Sequence, residues 1–285
     1  MAIICIAVYS TEENGRATYT KQTLMSLLNT VDFHKHRLFV SDNGSCESLQ
    51  TFYTDFSWLF EEKFPKQNLT IRKNGRNLGT SGAVNLGIRT REKGQHVIKM
   101  DDDVVVHQSG WVEEMEEVLA IEPKIGLACL KRDDFGEKPD HENELYRTKL
   151  IMLPHEKHGK WYPVEQLVNR VVNGQKQYAT AMGTCQMIRS ELLDKVKFYY
   201  QIPPYGWDDL DLGVRCALAG YATIFLSYIR ISHLDTGVTE GGIKTEFIEW
   251  KQKRAGEVGS AISERIKGYV EGKIPLAYEP TFDEN

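Results

Sequence analysis

Short apolar segments alternate with amphipathic segments over the first hundred residues, and this alternation constrains the fold more than any other feature. The apolar segments are rich in β-branched residues and have the length of buried strands, whereas the segments between them show the apolar spacing of helices. Strands that alternate with helices form a parallel sheet with helices on both faces. The sequence therefore predicts an α/β fold whose first strands are 3–9, 37–40, 69–72 and 96–100.

Polar residues cluster directly after three of these predicted strands, at positions 9–15, 41–45 and 101–103. In open α/β sheets, ligands bind outside the carboxyl ends of the strands. We therefore expect the three clusters to contribute to one shared ligand site.

Composition limits the classes of protein that fit this sequence. The chain has 285 residues, 41% of them hydrophobic, which is enough for a sizeable core. Its net charge of −5 gives no overall attraction to nucleic acids or anionic membranes. No apolar run approaches the roughly 20 residues that span a bilayer. We therefore expect a soluble, cytoplasmic protein without an integral membrane segment.

The five cysteines are scattered along the chain and form no C-x-x-C pair. This spacing argues against a zinc site and against a disulfide scaffold. We expect most of them to be buried, reduced thiols, in agreement with a cytosolic compartment. They are Cys5, Cys46, Cys129, Cys185 and Cys216.

Three adjacent carboxylates, Asp101, Asp102 and Asp103, end the fourth predicted strand. Side chains alternate along a strand, so Asp101 and Asp103 point to one side and Asp102 to the other. Two carboxylates on one side suit a hard divalent cation that also takes phosphate oxygens as ligands. A solvated acidic turn is the alternative, but the apolar residues on both sides of the triplet favour a site.

Four motifs in a fixed order carry a family resemblance: Asp42–Ser45, Asn77–Gly87, Asp101–Asp103 and Trp207–Leu212. This series resembles family 2 glycosyltransferases of the GT-A fold, over about residues 3–235. The resemblance implies a GT-A domain at 1–235, with a nucleotide-sugar-binding half at 1–106 and an acceptor and catalytic half at 107–235. Residues 236–285 are then a C-terminal helical extension.

The resemblance also implies which residues contact the donor. Asp42 matches the acid that hydrogen-bonds the nucleobase, and Asp101 matches the first acid at the donor. An arginine before the glycine-rich loop, Arg76, is a further candidate for phosphate, although surface arginines are commonly solvated. The other donor-site residues in this interpretation are Ala7, Tyr9, Ser10, Asn77, Gly79, Asn85 and Asp102.

Metal and catalytic roles follow from the same resemblance. Asp103 and His233 match the metal ligands, and their mixed oxygen and imidazole set favours Mn²⁺ over Mg²⁺. Asp209, or its neighbour Asp208, is the expected general base. Both acids also stand in the first turn of a predicted helix, where they would offset its dipole without any catalytic role.

Two aromatic residues precede these acids, Tyr205 and Trp207, and they suggest a wall for the acceptor sugar. The alternative is a rigid loop with packed aromatic rings. The segment 244–272 has helical character with interruptions near Gly256 and Gly259. Ile243, Phe247 and Trp250 suggest a surface for a second subunit. The polar tail from Pro275 is expected to be loose.

The expected function is metal-dependent transfer of a sugar from a nucleotide-diphosphate sugar, preferably a UDP-sugar, to an acceptor hydroxyl with inversion. The alternatives are a sugar nucleotidyltransferase and a non-catalytic nucleotide-sugar-binding protein. The acceptor stays open between a glycan, a lipid-linked sugar, a protein and a modified nucleobase in DNA. A nucleic acid is thus expected only as an acceptor.

Overall fold

A ten-stranded sheet with helices on both faces forms the centre of the computed structural model. The structure describes residues 1–132, 147–155, 159–172, 174–181, 183–200, 206–235 and 246–282. The strands are β1 Ala2–Val8, β2 Arg37–Asp42, β3 Leu69–Lys73, β4 His96–Met100, β5 Val104–Val106, β6 Ile125–Arg132, β7 Thr148–His155, β8 Lys160–Leu167, β9 Arg170–Val172, β10 Gln175–Gln177, β11 Cys185–Ile188 and β12 Ala222–His233. The helices are α1 Ala17–Thr30, α2 Glu47–Lys63, α3 Gly79–Arg89, α4 Trp111–Ile121, α5 Ser190–Val196, α6 Asp208–Leu218 and α7 Glu246–Val270. The predicted α/β class is confirmed.

The N-terminal half of the sheet is parallel, as the alternation of strands and helices predicts. Its strand order is β3-β2-β1-β4, and β1 pairs in parallel with both β2 and β4. The chain therefore moves outward from β1 to β3 and then crosses back to β4. This reversal leaves a crevice at the carboxyl ends of β1 and β4, where open α/β sheets bind ligands.

The second half extends this sheet with strands of mixed direction. β11 pairs antiparallel with β4 and β6, and β12 runs parallel to β6. The end of β12 also pairs with β5, which sets His233 opposite Val104. Because Val104 directly follows the acid triplet, this pairing brings His233 to the crevice from more than a hundred residues away.

Alternate residues of β1 supply the two cores on opposite faces of the sheet. Ile4 and Ile6 pack in the core that includes α1, α2 and α4. Ile3 and Cys5 pack in the other core, which includes α3, α5 and α6. Gly87 allows close approach on that second face, since a Cβ there would overlap the Cys5 sulfur. This contact seats α3 on β1 and sets its first turn beside the crevice.

Apolar runs at 178–188, 222–226 and 229–232 also predict strands, and these have different bounds in the structure. Among the described residues of 178–188, the strand β11 covers Cys185–Ile188, and Thr180 packs against Gly213 of α6. The segments expected as two strands near 222–226 and 229–232 form one strand, β12. β12 pairs with β6 on both sides of a register shift between Leu226 and Arg230, so this irregularity in the pairing does not end the strand.

The C-terminal segment is more ordered than its sequence suggests. α7 runs without interruption through Gly256 and Gly259, because tertiary contacts compensate for the low helix propensity of glycine. The tail is docked as well: Tyr278 exchanges backbone hydrogen bonds with Val196 and Phe198. The expectation of a loose tail is therefore wrong over the described residues up to 282.

The uninterrupted helix α7 leads to a stability prediction. A Cβ at Gly256 or Gly259 would meet no heavy atom within 4 Å. Gly256→Ala and Gly259→Ala should each raise the free energy of unfolding by about 0.5–1 kcal/mol, measured by urea denaturation. Gly268→Ala is the matched control, because its Cβ would press on the Ile274 side chain, and it should give no gain. If Gly256→Ala and Gly259→Ala both lowered the free energy of unfolding, this result would contradict a continuous helix.

All five cysteines are free, and four of them are buried, with Cys46 partly exposed. Burial raises the pKa of the Cys216 thiol to about 12, against a weaker opposing effect from Thr223. Within the described ranges, no helix combines the length and the apolar character that crossing a membrane requires.

Candidate active site

A cavity of about 1200 Å³ lies at the carboxyl ends of β1 and β4. This volume exceeds the roughly 300–1,000 Å³ typical of small-molecule sites, so it has room for more than one ligand group. Most of the residues singled out from the sequence line it. They are Ala7, Tyr9, Asn77, Gly79, Asp101, Asp102, Asp103, Trp207, Asp208, Asp209 and His233.

Asp42 does not lie in the cavity lining, contrary to the interpretation of this acid as a nucleobase contact. Its side chain is fully buried. One carboxylate oxygen accepts the backbone N–H groups of Gly44 and Ser45, and the other accepts a hydrogen bond from Gln50. Asp42 therefore shapes the loop after β2, because its own turn uses both oxygens.

Asn85 and Ser10 are also structural in this geometry. The Asn85 side chain exchanges two hydrogen bonds with the Tyr199 backbone, which ties α3 to the segment after α5. Ser10 is fully buried, and its backbone N–H donates to the Ser45 hydroxyl. Arg76 is exposed and lies outside the cavity lining, and Tyr205 lies outside the described residues.

Asn43 occupies the position in the cavity wall that was expected of Asp42. Its Oδ1 accepts hydrogen bonds from Asn74 and from the Leu78 N–H, and its Nδ2 donates to the Gly79 carbonyl. The side chain thus joins the loop after β2 to the glycine-rich loop before α3. The sequence signal for Asn43 was its place beside Asp42 in the Asp-Asn-Gly-Ser turn.

The acid triplet lies in the turn between β4 and β5, and its three carboxylates have different partners. Asp102 turns toward α1, where its carboxylate accepts hydrogen bonds from Arg16 at 2.7 Å and from the Thr20 hydroxyl at 3.1 Å. Burial raises the pKa of Asp102, and the Arg16 guanidinium opposes this effect. Asp102 is therefore held by Arg16 and by Thr20 of α1, whereas Asp101 and Asp103 lie close to His233.

Asp101, Asp103 and His233 form a cluster in which one ligand atom of each lies within 4.8 Å of the others. Asp103 Oδ1 and His233 Nδ1 are buried and have no hydrogen-bond partner among the described residues. Buried polar atoms without partners are costly and call for an explanation. Two carboxylates and one imidazole are ligands that Mn²⁺ and Mg²⁺ accept, so these residues fit a divalent cation.

Arg16 holds the acids around this cluster. Its Nη2 lies 2.7 Å from Asp102 Oδ1 and 2.9 Å from Asp103 Oδ2, and its Nη1 lies 2.6 Å from Asp235 Oδ2. Burial opposes the charge of Arg16, but the two neighbouring acids Asp102 and Asp103 raise its pKa. Arg16 is absent from the residues singled out by sequence, although it directly follows the polar cluster after β1.

Lys99 is a second buried cation that the sequence motifs do not reveal. Its ammonium donates to the Gly183 carbonyl at 2.7 Å and lies 2.7 Å from Asp101 Oδ1 and 3.7 Å from Asp209 Oδ1. Burial opposes its charge, but Asp101 and Asp209 hold the pKa of Lys99 well above its ordinary value. A lysine inside an apolar strand, two residues before Asp101 and on the same face, was the available signal.

The two acids at the start of α6 have different surroundings. The Asp208 residue is only 8% exposed, and its side chain hydrogen-bonds Ser81. Asp209 Oδ2 accepts the Gly183 N–H at 2.9 Å, and Asp209 Oδ1 has no hydrogen-bond partner among the described residues. Burial, partly offset by Lys99, raises the pKa of Asp209 to about 7. Asp209 lines the cavity, and its side chain is 26% exposed there.

Gly183 supports Asp209 by close approach as well as by hydrogen bonding. A Cβ at this position would overlap the Asp209 carboxylate. Gly183→Ala should therefore displace the carboxylate and lower the rate of any reaction that depends on it by about 100-fold, while ligand affinity is retained. Turnover and calorimetric binding measured together check this, with Gly259→Ala as a control. Full turnover of Gly183→Ala would contradict the role of Asp209.

The helix α7 closes one side of the cavity. Trp207, in the left-handed conformation at φ 60° before α6, donates its indole N–H to the Ala255 carbonyl at 2.7 Å. Trp250 and Lys251 of α7 also line the cavity. Of the residues that suggested a second subunit, Trp250 lines this chain's own cavity, whereas Ile243 and the Phe247 side chain lie outside the described part of the structure.

The fold and these motifs agree with a family match. A sequence model of glycosyl transferase family 2 matches residues 4–197, and the chain belongs to this family. Its mixed α/β architecture is that of the GT-A fold. No curated protein sequence matches the chain significantly.

Solved structures of other glycosyltransferases share this fold at low identity. The mannosyltransferase PcManGT from Pyrobaculum calidifontis, in complex with GDP-Man and Mn²⁺, is similar with a TM-score of 0.59 and 17% identity over 85% of this chain. S. aureus TarS 1–349 in complex with UDP-GlcNAc is similar with a TM-score of 0.54 and 13% identity over 84% of this chain. GalNAc-T7 with UDP, GalNAc and Mn²⁺ is similar with a TM-score of 0.54 and 11% identity over 82% of this chain. The matched regions span 58%, 62% and 44% of those chains, respectively.

Proposed function

We propose that this family 2 enzyme transfers a sugar from a nucleotide-diphosphate sugar to an acceptor hydroxyl, with a divalent cation and with inversion at the anomeric carbon. One observation carries the proposal. Asp101, Asp103, His233 and the Asp209 carboxylate line the same cavity, and Lys99 lies between Asp101 and Asp209.

The donor is proposed to enter between the end of β1 and the glycine-rich loop. Ala7 and Tyr9 line this part of the cavity, together with Asn43 and Gly79. The similar structures contain GDP-Man, UDP and UDP-GlcNAc, which supports a nucleotide-sugar donor. We favour a UDP-sugar, on the resemblance to the family.

Asp103 and His233 would hold the cation, with Asp101 beside it at the donor phosphates. When bound, a divalent ion there supplies positive charge that offsets the charge growing on the leaving diphosphate. The imidazole of His233 favours Mn²⁺ over Mg²⁺, and two of the similar structures contain Mn²⁺. Arg16 keeps Asp103 in place through its ion pair.

Asp209 is proposed as the general base. Its carboxylate takes the proton of the acceptor hydroxyl while the acceptor oxygen bonds to the anomeric carbon and the bond from that carbon to the diphosphate oxygen breaks. A single displacement of this kind inverts the anomeric centre. Lys99 and the Gly183 N–H hold the carboxylate in position, and Trp207 offers a ring face for the acceptor.

The pKa of Asp209 predicts the pH dependence of transfer. A base acts in its ionised form, and Asp209 ionises near pH 7 in the ligand-free enzyme because burial raises its pKa. The value of kcat/KM should therefore rise by about tenfold per pH unit below that value and level off above it. A profile measured with any active donor and acceptor pair checks this, and a flat profile across pH 7 would contradict it.

The five free cysteines also support a proposal about the compartment. Free thiols persist where glutathione and thioredoxin keep cysteines reduced. We place the reaction in the cytoplasm on this basis.

The function can be tested by donor turnover. The protein should release free nucleoside diphosphate when a panel of UDP-, GDP- and CDP-sugars is incubated with Mn²⁺ and a mixture of acceptors, detected by chromatography. A nucleotidyltransferase would instead make a nucleotide sugar and pyrophosphate from a nucleoside triphosphate and a sugar 1-phosphate. That second outcome, without diphosphate release from any sugar nucleotide, would overturn the proposal.

A further inference from the structure

One face of α7 forms part of the cavity wall. Glu246, Trp250, Lys251 and Ala255 lie at helical spacing along it, and all four line the cavity. The family match ends at residue 197, so this wall comes from outside the matched region. The helix therefore brings side chains to the site that the family motifs do not include.

α7 is anchored at two places, which fixes the position of this face. The Trp207 indole N–H bonds the Ala255 carbonyl, one turn after Lys251. Toward the other end of the helix, the Tyr269 hydroxyl donates to the buried Asp211 carboxylate at 2.8 Å. Both partners belong to α6 or the residue that precedes it, so α7 is held against the helix that carries Asp209.

The Lys251 side chain lies within electrostatic reach of the acid cluster. The charged groups that act on its ammonium are Arg16, Asp101, Asp103 and Asp235. A diphosphate bound at Asp101 and Asp103 would add negative oxygens to this acidic region. The Arg16 guanidinium already pairs with three carboxylates. The Lys99 ammonium already pairs with Asp101 and Asp209.

We propose that Lys251 binds the diphosphate of the donor, which makes α7 a part of the donor site. This inference rests on the proposed function, because it takes the diphosphate donor from it. A lysine near growing negative charge stabilises the leaving group in the same way as other fixed cations in transferases. Without such a ligand, Lys251 would serve only as a structural partner of the acids around it.

Inorganic pyrophosphate with Mn²⁺ is the probe that separates these roles, because it contains the diphosphate without base or sugar. In calorimetric titrations, Lys251→Met should bind pyrophosphate about 10- to 100-fold more weakly than the wild type, as expected for loss of a charged hydrogen bond. Lys253→Met is the matched control: Lys253 is exposed on the same helix, outside the cavity lining, and its loss should not change the affinity. Lys251→Arg should restore part of the affinity.

The outcomes separate this inference from the proposed function. If the wild type binds pyrophosphate and Lys251→Met binds it equally well but melts at a lower temperature, Lys251 is structural and the inference is overturned. If Lys251→Met does not fold, Lys251→Gln and Lys251→Arg are compared in its place, and equal affinity in both also overturns the inference. If the wild type binds none of pyrophosphate, UDP and GDP with Mn²⁺, the proposed function itself fails.

Discussion

Asp103→Asn is expected to lower the affinity for Mn²⁺ in the presence of UDP by more than about 100-fold, because it removes a charged ligand atom from the metal cluster. Asp103 is 2% exposed, and its Oδ1 has no other partner among the described residues. Titration of Mn²⁺ followed by electron paramagnetic resonance measures the effect directly, since bound and free Mn²⁺ have different signals.

The adjacent acid supplies the matched control for this experiment. Asp102→Asn removes the same charge one residue away, but the Asp102 side chain bonds Arg16 and Thr20 instead of facing the cluster. We expect it to lower the melting temperature and to leave Mn²⁺ affinity much closer to that of the wild type. Equal losses of Mn²⁺ affinity in both variants would argue against a specific site at Asp103.

Asp209→Asn is expected to lower the rate of sugar transfer by about 10²- to 10⁴-fold while nucleotide affinity stays the same, because only the proton acceptor is lost. The amide keeps the size of the side chain, so Gly183 and the start of α6 need not move. Rates at saturating donor, with parallel calorimetry of UDP, measure the two quantities separately.

Asp208→Asn is the control for the choice between the two acids. Asp208 is buried beside Ser81, and no atom of its carboxylate is among the buried polar atoms without a partner in the described residues. Its replacement should therefore reduce the rate less than Asp209→Asn does. If Asp209→Asn kept the wild-type rate and Asp208→Asn lost it, the base would be Asp208.

The parallel half of the fold is predictable from the sequence because local patterns determine it. The strands β1, β2 and β4 are short, largely apolar runs with polar clusters directly after them, so both their type and their order are readable. The family resemblance names Asp103 and His233 together, and the pairing of β5 with β12 shows how the fold brings these distant residues close.

The sequence motifs do not show which of their polar atoms are already bonded to nearby backbone groups and side chains. Asp42 and Asn85 stand in matching motifs, yet both are fully buried and bonded to nearby backbone groups or side chains. Side chains of Asp and Asn often satisfy turns in this way, and only the structure shows when they do.

The remaining features depend on contacts between residues far apart in the chain. The Arg16 ion pair with Asp235 joins residues separated by more than two hundred positions, and the Trp207 bond to Ala255 joins α7 to the site. No local pattern predicts such pairs. For the same reason, the sequence indicates only a C-terminal extension at α7, whereas one face of this helix lines the cavity.

Calorimetric titration of UDP, GDP and CDP into the wild-type enzyme, each with and without Mn²⁺, is the direct test of the metal-dependent donor site. We predict that one of these nucleotides binds tightly only when Mn²⁺ is present, because the cluster of Asp101, Asp103 and His233 needs the ion to hold a diphosphate. Binding that is equally tight without the metal, or no binding of any of the three with it, would contradict such a site.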